Sequence, residues 1–153
     1  MIRKYQPADC EDVLNVWAGA SAVAHPFLSR EFLELERHNI PNVYLPKADT
    51  WVWEAGGRVV GFMSLLGNEV GALFVDPGAQ RAGIGRALIG RARALRGELK
   101  VEVFKDNLLG RAFYAKCGFE VMHHKIHEQT GFEIIRLRLA ANTPLQPTGC
   151  AGG

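Results

Sequence analysis

The chain has few cysteines and no long apolar run, and each lack excludes a class of protein. Its 153 residues include three cysteines, Cys10, Cys117 and Cys150, in no Cys-x-x-Cys pair, so neither a disulfide framework nor a zinc knuckle is predicted. No apolar run approaches the roughly 20 residues that span a bilayer, and residues 1–5 lack the apolar stretch of a secretory signal. We therefore expect reduced thiols, a cytoplasmic location and no membrane partner.

The chain also lacks an excess of charge of one sign. Its formal net charge is +2, too small for the strong field that nucleic-acid binding uses, so no nucleic-acid partner is expected. Apolar residues make up 48% and charged residues 22%, which is ordinary for one globular domain of this length. We assign residues 1–140 to that domain. Residues 141–153 are mostly small residues and proline, which predicts a flexible C-terminal tail.

Hydrophobic periodicity predicts helices in the first third of the chain. Residues 2–6 form a short first strand. A helix with Asp9 as its N-cap follows, and a second helix is capped by Ser29. Pro41 and Pro46 then indicate helix ends and loop, because proline removes a backbone donor.

The rest of the pattern alternates between strands and helices, which indicates a mixed α+β fold. Residues 50–75 read as an antiparallel meander whose first turn is the Gly56-Gly57 pair. A basic helix follows, and its buried face is predicted to hold Ile84, Leu88, Ala92 and Leu95. The remaining predicted elements are a strand at 99–104, a helix at 107–116 ended by Gly118, and a hairpin over 119–139.

The most specific local signal lies at residues 75–86, where a strand, a Pro-Gly turn and a basic helix follow one another. The first amides of a helix have no internal partner and carry partial positive charge, so they attract phosphate. Gly83 and Gly85 lack a Cβ and allow close approach, while Arg81 and Arg86 add charged donors at the rim. This pattern favours a pyrophosphate-binding loop.

Two other readings of this segment are a glycine-rich turn without a ligand and a dinucleotide-binding fingerprint. Gly83-x-Gly85 matches the first half of the fingerprint, and Glu102 lies near its expected ribose-binding acid. However, Leu88 occupies the third glycine position, and the segment follows an antiparallel meander. A pyrophosphate loop of another kind is therefore favoured.

Gln80-Arg81-Ala82-Gly83-Ile84-Gly85 resembles the Gln/Arg-x-x-Gly-x-Gly/Ala signature of the GCN5-related N-acetyltransferase (GNAT) superfamily, as found in its small bacterial members. Glu102, Asn107, residues 112–114 and residues 118–119 continue the likeness, with a spacing similar to that of the ribosomal-protein N-terminal acetyltransferases. The resemblance implies a central, mostly antiparallel sheet of six to seven strands, flanked by about four helices and splayed at a cofactor cleft.

The resemblance also implies acetyl-CoA as co-substrate and no metal. The β-strand backbone at 73–75 would pair with the pantetheine arm, the amides of residues 81–86 would hold the pyrophosphate, and Asn107 would hydrogen-bond the arm. Tyr114 would face the sulfur. The implied cofactor-binding residues are Leu73, Phe74, Val75, Gln80, Arg81, Ala82, Gly83, Ile84, Gly85, Arg86, Asn107 and Tyr114.

The implied reaction is direct attack of a primary amine on the thioester within a ternary complex. Tyr114 is the candidate general acid, since a protonated thiol leaves more easily than a thiolate. Glu102 is the first candidate for the base that deprotonates the amine, with Glu69 and His25 in reserve. His25 and Phe27 are expected to border the acceptor cleft.

Several choices stay open at this stage. The acceptor is either a small-molecule amine or a peptide N-terminus, and the chain is either a monomer or a homodimer. A non-catalytic acyl-CoA-binding regulatory module is the alternative function. Glu34, Glu36 and Asp49 either favour a cationic amine or form a solvated face. His123 and His127 would lie about 13 Å apart on a strand, too far for one ion, so no metal site is predicted.

Overall fold

A seven-stranded sheet with helices on both faces forms the centre of the protein. A computed structural model describes residues 1–141, apart from the side chain of Arg81. The predicted tail lies, except for Ala141, outside the described residues. The strands are β1 (Ile2–Lys4), β2 (Asp49–Ala55), β3 (Arg58–Leu66), β4 (Glu69–Val75), β5 (Leu99–Phe104), β6 (Glu120–Ile126) and β7 (Glu133–Leu139). The helices are α1 (Cys10–Ala24), α2 (Arg30–Asn39), the single turn α3 (Leu45–Lys47), α4 (Ile84–Arg96) and α5 (Leu108–Cys117).

The strand order confirms the predicted, mostly antiparallel sheet. The strands lie in the order β1-β2-β3-β4-β5-β7-β6, and the β4–β5 pair alone among those described is parallel. Gly56 and Gly57, with φ of 60° and 77°, make the β2–β3 turn as predicted. Two of these antiparallel ladders bring β7 between β5 and β6, so the final hairpin joins the sheet through its second strand.

Each face of the sheet has its own apolar core. One core includes Val13, Trp17 and Phe62 from α1 and the meander. The other core is built from α4, α5 and residues of β3, β4, β5 and β7. Ile84, Leu88 and Ala92 are buried there as predicted, but Leu95 is 41% exposed and that prediction is wrong. Periodicity tells which side of a helix faces the core, but not where along the axis the covering surface ends.

The two predicted helix starts differ in how they are capped. Ser29 Oγ accepts a hydrogen bond from the Phe32 amide at 3.1 Å, which confirms Ser29 as the cap of α2. Asp9 precedes α1 but makes no side-chain cap for it. Its carboxylate instead accepts two hydrogen bonds from Arg3, both at 2.9 Å, and one from the Gln6 amide. Asp9 therefore ties β1 to the entry of α1.

The chain stays helical after α2, so the predicted loop at the two prolines is wrong. A π-helical turn, Ile40–Tyr44, joins α2 to α3. The Leu45 amide donates to the Ile40 carbonyl, and the Asn42 side chain donates to the His38 carbonyl at 2.8 Å. Pro41 lies in the first turn of this wider helix, where its missing amide and its ring are tolerated.

β4 and β5 separate soon after they begin to pair. Their ladder contains Glu69 opposite Lys100 and Val70 opposite Val101, whereas β4 continues to pair with β3 as far as Val75. The edge of β4 that faces β5 is therefore open over residues 71–75. This separation confirms the predicted splay and creates the space in which the candidate site lies.

Candidate active site

Two cavities open where β4 and β5 separate. The smaller cavity has a volume of about 240 Å³ and lies between α1, β4 and α5. The larger cavity has a volume of about 400 Å³ and lies between α1, α2 and the separated strands. Leu73, Phe74, Asn107 and Tyr114 line both cavities. A group held in one cavity can therefore meet a group held in the other at this shared wall.

The smaller cavity brings together many of the residues predicted to bind the cofactor. Those in its wall are Leu73, Phe74, Val75, Gln80, Gly85, Asn107 and Tyr114. Gln80 Nε2 donates to the Val75 carbonyl at 3.0 Å, so its side chain also ties the turn after β4 back to the strand. Ile84 is placed differently, because its side chain is buried in the core and leaves only its backbone for a ligand.

The turn before α4 presents the start of a helix toward the smaller cavity. Asp76 accepts a hydrogen bond from the Gly78 amide at 2.9 Å and begins the 3₁₀ turn Pro77–Ala82. Gly83 has a φ of 77°, a conformation that favours glycine, and its carbonyl accepts from the Ala87 amide. The amides at the very start of α4 are those that a helix leaves without an internal partner. This geometry suits a phosphate group.

Gly85 has a reason to be glycine that sequence reasoning did not find. A Cβ at Gly85 would lie 3.0 Å from two ring carbons of Phe113 on α5. The missing side chain therefore allows α4 and α5 to approach each other beside the smaller cavity. At Gly83, in contrast, a Cβ would meet no atom within 4 Å, so the backbone conformation alone favours glycine there.

Tyr114 lies on α5 in the wall between the two cavities. Its ring packs edge-on against Phe113 and Phe119, each with a centroid distance of 5.2 Å, and the residue is 7% exposed. Burial, together with the nearby Cys117 thiol, raises the pKa of the phenol above its usual value. The hydroxyl is therefore protonated at neutral pH and can act as a proton donor.

Asn107 and His25 form a hydrogen-bonded pair next to Tyr114. Asn107 Oδ1 accepts from the Gly110 amide at 2.9 Å and caps α5, which leaves Nδ2 to donate to His25 Nε2 at 3.3 Å. His25 therefore carries its proton on Nδ1, which lies 3.1 Å from Ser21 Oγ. Burial lowers the pKa of His25 to about 4, so the ring is neutral at physiological pH.

Phe27, predicted to border the acceptor cleft with His25, lies behind the wall of the larger cavity. Its ring packs edge-on against His25, Phe104 and Phe132, with centroid distances of 5.8, 5.6 and 5.2 Å. His25 and Phe104 line the larger cavity themselves. Phe27 therefore supports the lining side chains from outside.

The two carboxylates considered as bases share one arginine. Glu102 lines the larger cavity, and its Oε2 accepts from Lys125 Nζ at 2.9 Å and from Arg136 Nη1 at 3.0 Å. Burial alone would raise the pKa of Glu102, but the two cations outweigh it and hold the pKa below its usual value. Arg136 also binds both oxygens of Glu69. Arg136 therefore joins the two carboxylates, and Glu102 is stabilised in its charged form.

Of the three carboxylates that were expected either to favour a cationic amine or to form a solvated face, Glu36 lies in the wall of the larger cavity. Its Oε1 accepts from the Tyr44 hydroxyl at 2.9 Å. Burial raises the pKa of Glu36, although Tyr44 and His127 act in the opposite direction. Glu34 is exposed on another side of α2, and Asp49 is paired with two cations.

Cys117, three residues after Tyr114 in the sequence, is not an activated nucleophile. Cys10 and Cys117 are free thiols. Burial raises the pKa of Cys117 despite the nearby Arg86, so this thiol stays protonated near neutral pH. Over residues 1–141, no group of three or more His, Cys, Asp or Glu side chains could hold a metal ion. Within the same range, every helix is too short or too polar to cross a bilayer.

A tyrosine between two cavities, beside an open strand edge and a glycine-rich helix start, forms the candidate acyltransferase site. Residues 46–121 match the family model described as "Acetyltransferase (GNAT) domain". The chain is 31% identical to the peptidyl-lysine N-acetyltransferase YiaC of Escherichia coli over 131 residues, which is 85% of this chain and 90% of YiaC. It is 34% identical to the peptidyl-lysine N-acetyltransferase YjaB of the same organism over 121 residues, covering 78% and 82%.

Solved structures agree with this assignment. The solution structure of apo-form YjaB from Escherichia coli matches with a TM-score of 0.83 and 28% identity, covering 93% of this chain and 98% of YjaB. The PaiA N-acetyltransferase of Thermoplasma acidophilum, solved in complex with coenzyme A, matches in fold with a TM-score of 0.70 and 20% identity, covering 89% and 96%. The chain belongs to the GNAT family of acetyltransferases, as the resemblance in its sequence implied.

Proposed function

We propose that the protein transfers the acetyl group of acetyl-CoA to the side-chain amine of a lysine in a peptide or protein. The observation that carries this proposal is the position of Tyr114 in the wall shared by the two cavities. The names of two relatives above 30% identity support lysine as the acceptor. Membership of an enzyme family favours catalysis over the alternative of a non-catalytic acyl-CoA-binding module.

The residues around the smaller cavity fit acetyl-CoA. The open edge of β4 at residues 73–75 offers backbone donors and acceptors to the amides of a pantetheine arm. The start of α4 offers its free amides to the pyrophosphate, with Arg86 exposed beside them. Asn107, whose position α5 and His25 fix, lies where it can hydrogen-bond the arm. The acetyl thioester would then reach the shared wall.

The larger cavity is the proposed acceptor site. An amine there attacks the thioester carbonyl directly, and a backbone amide near Phe74 stabilises the charge on the carbonyl oxygen. Tyr114 donates its proton to the departing sulfur. We propose Glu102 as the base because it lines this cavity, and its low pKa predicts only a modest contribution to the rate.

The acceptor proposed here differs from the two classes considered from the sequence, a small-molecule amine and a peptide N-terminus. A lysine side chain has a long apolar stem and a terminal amine. The lining of the larger cavity suits the apolar stem of such a side chain, because it is largely apolar and includes Trp17, Leu33 and Phe62. A cytoplasmic location and the choice between monomer and homodimer stay predictions.

The test of the proposed function is the rate of CoA thiol release with lysine peptides. Tyr114→Phe removes the proton donor and keeps the ring, so kcat should fall about 100-fold or more while the Kd for acetyl-CoA stays unchanged. Tyr5→Phe, a phenol outside both cavities, is the matched control and should act like the wild type. Equal turnover by Tyr114→Phe and the wild type would contradict the assigned role of Tyr114.

A further inference from the structure

The larger cavity has acidic but no lysine or arginine side chains among the described residues of its wall. The acidic side chains are those of Glu36 and Glu102. Glu102 is compensated, because Lys125 and Arg136 approach it from outside the cavity. Glu36 has no ion pair among the described residues. It is therefore the uncompensated negative charge of this cavity.

The groups around Glu36 orient it without neutralising it. Tyr44, from the π-helical turn, donates a hydrogen bond to one oxygen of the carboxylate at 2.9 Å. His127, at the end of β6, also lines the cavity, but its Nδ1 is engaged with Thr130 Oγ1 at 2.9 Å and its ring packs on Phe32 and Phe104. A half-buried carboxylate that keeps one oxygen free gains most from a cationic partner.

We propose that Glu36, oriented by Tyr44, binds the ammonium group of the acceptor as it enters the larger cavity, and so selects cationic acceptors such as lysine side chains. This inference rests on the proposed function, because it assigns the larger cavity to the acceptor. It adds a recognition residue on α2, a helix that lies outside the family-model match at residues 46–121. The proton transfers of the reaction stay assigned to Tyr114 and Glu102.

The kinetic test compares two isosteric changes on one helix. Glu36→Gln removes the charge but can still accept the bond from Tyr44. We expect it to raise the KM for a lysine peptide about tenfold or more, with a small change in kcat and an unchanged Kd for acetyl-CoA. Glu34→Gln, exposed on another side of α2, should act like the wild type. A KM for Glu36→Gln equal to that of the wild type would overturn the proposal.

A binding test separates charge recognition from a merely structural role and needs no turnover. The probes are Nα-acetyl-lysine amide and Nα-acetyl-norleucine amide, which have side chains of similar length with and without the ammonium, titrated by NMR in the presence of CoA. The wild type should prefer the lysine probe, and Glu36→Gln should bind both equally. A preference for the lysine probe that survives in a normally folded Glu36→Gln variant would overturn the proposal.

The pH dependence of that preference is a second readout. Because the pKa of Glu36 is raised, its negative charge is lost at a higher pH than that of an ordinary carboxylate. The preference for lysine should therefore be full at neutral pH and weaken as pH falls through that raised pKa. The other titratable groups lining the cavity are His25, Tyr44, Glu102, Tyr114 and His127, and Glu36→Gln leaves them in place. A preference with the same pH profile in both proteins would therefore contradict the assignment.

The two proposals fail in different ways. One outcome is that the wild type prefers the lysine probe, Glu36→Gln has no preference, and the wild type acetylates no amine. The proposed transfer is then wrong, and the recognition role of Glu36 stands. If lysine peptides are acetylated and Glu36→Gln leaves both KM and probe preference unchanged, the transfer stands and the role of Glu36 is wrong.

Discussion

Asn107 connects several parts of the candidate site. It caps α5, donates to His25 and lines both cavities. A Cβ at Gly110 would lie 2.4 Å from Asn107 Nδ2 and 2.9 Å from its Cγ, so Gly110→Ala forces this side chain to move. We expect Gly110→Ala to weaken acetyl-CoA binding but to change the free energy of unfolding little, because the loss of about 1 kcal/mol from the cap offsets the gain of about 1 kcal/mol that alanine brings to a helix.

The matched control is the same change at a helix glycine with free space. A Cβ at Gly90 on α4 would meet no atom within 4 Å. Gly90→Ala should therefore stabilise the protein by up to about 1 kcal/mol, because alanine is the better helix former, and leave acetyl-CoA binding unchanged. Urea denaturation and calorimetry measure both effects. Tight acetyl-CoA binding by Gly110→Ala would contradict a role for Asn107 in holding the cofactor.

The sequence predicted single residues well where a local rule applied. Ser29 as the cap of α2 and Gly118 as the end of α5, with φ of 100°, follow from rules that span only a few positions, and the structure confirms both. For Glu36 the sequence left open whether it favours a cationic amine or lies on a solvated face, because its environment is made by distant parts of the chain. One local signal was available: Glu36 follows Phe32 and Leu33 at helical spacing, on the side of α2 that lines the cavity.

At the scale of elements, Arg136 joins three strands where β4 and β5 begin to separate. It extends from β7 to Glu102 on β5 and to both oxygens of Glu69 on β4. Its side chain is 21% exposed, so this network is screened less than a surface pair. Arg136→Met should lower the free energy of unfolding at neutral pH by about 1–2 kcal/mol, which urea denaturation would measure.

The pH dependence of that loss has a definite sign. The pKa of Glu102 is lowered in the folded protein from the usual 4.5, so its ion pairs stabilise the fold above that pH and lose their effect as pH falls below it. The difference between the wild type and Arg136→Met should therefore shrink as pH falls from 7 toward about 3. Arg138 lies on the same strand as Arg136, and Arg138→Met, which breaks its more exposed pair with Glu98, should show a smaller loss. A difference independent of pH would contradict this account.

The prediction of elements succeeded or failed for physical reasons. The Gly56-Gly57 turn fixes its hairpin through a local requirement for positive φ, so it could be read directly. The helical continuation through Pro41 could not, because the π turn depends on a side-chain bond from Asn42 to the backbone of His38. The insertion of β7 between β5 and β6 depends on pairing between strands far apart in sequence, which periodicity does not report.

At the scale of the whole molecule, the sheet is weakest where the proposed cofactor would lie. β4 and β5 are joined by two residue pairs, and the smaller cavity fills the gap beyond them. A ligand that binds the open edge of β4, the start of α4 and Asn107 would connect both halves of the sheet. Acetyl-CoA at about 100 times its Kd should therefore raise the Tm by about 5–10 °C.

Gly85→Asp is the variant that tests this coupling. Its Cβ would press on the Phe113 ring, and its carboxylate would repel a pyrophosphate at the start of α4. We expect a folded protein with a somewhat lower Tm whose Tm no longer responds to acetyl-CoA. Gly90→Asp places the same charge on the same helix in open space, and it should keep the full response. A Tm that rises equally with acetyl-CoA in both variants would mean that the pyrophosphate binds elsewhere.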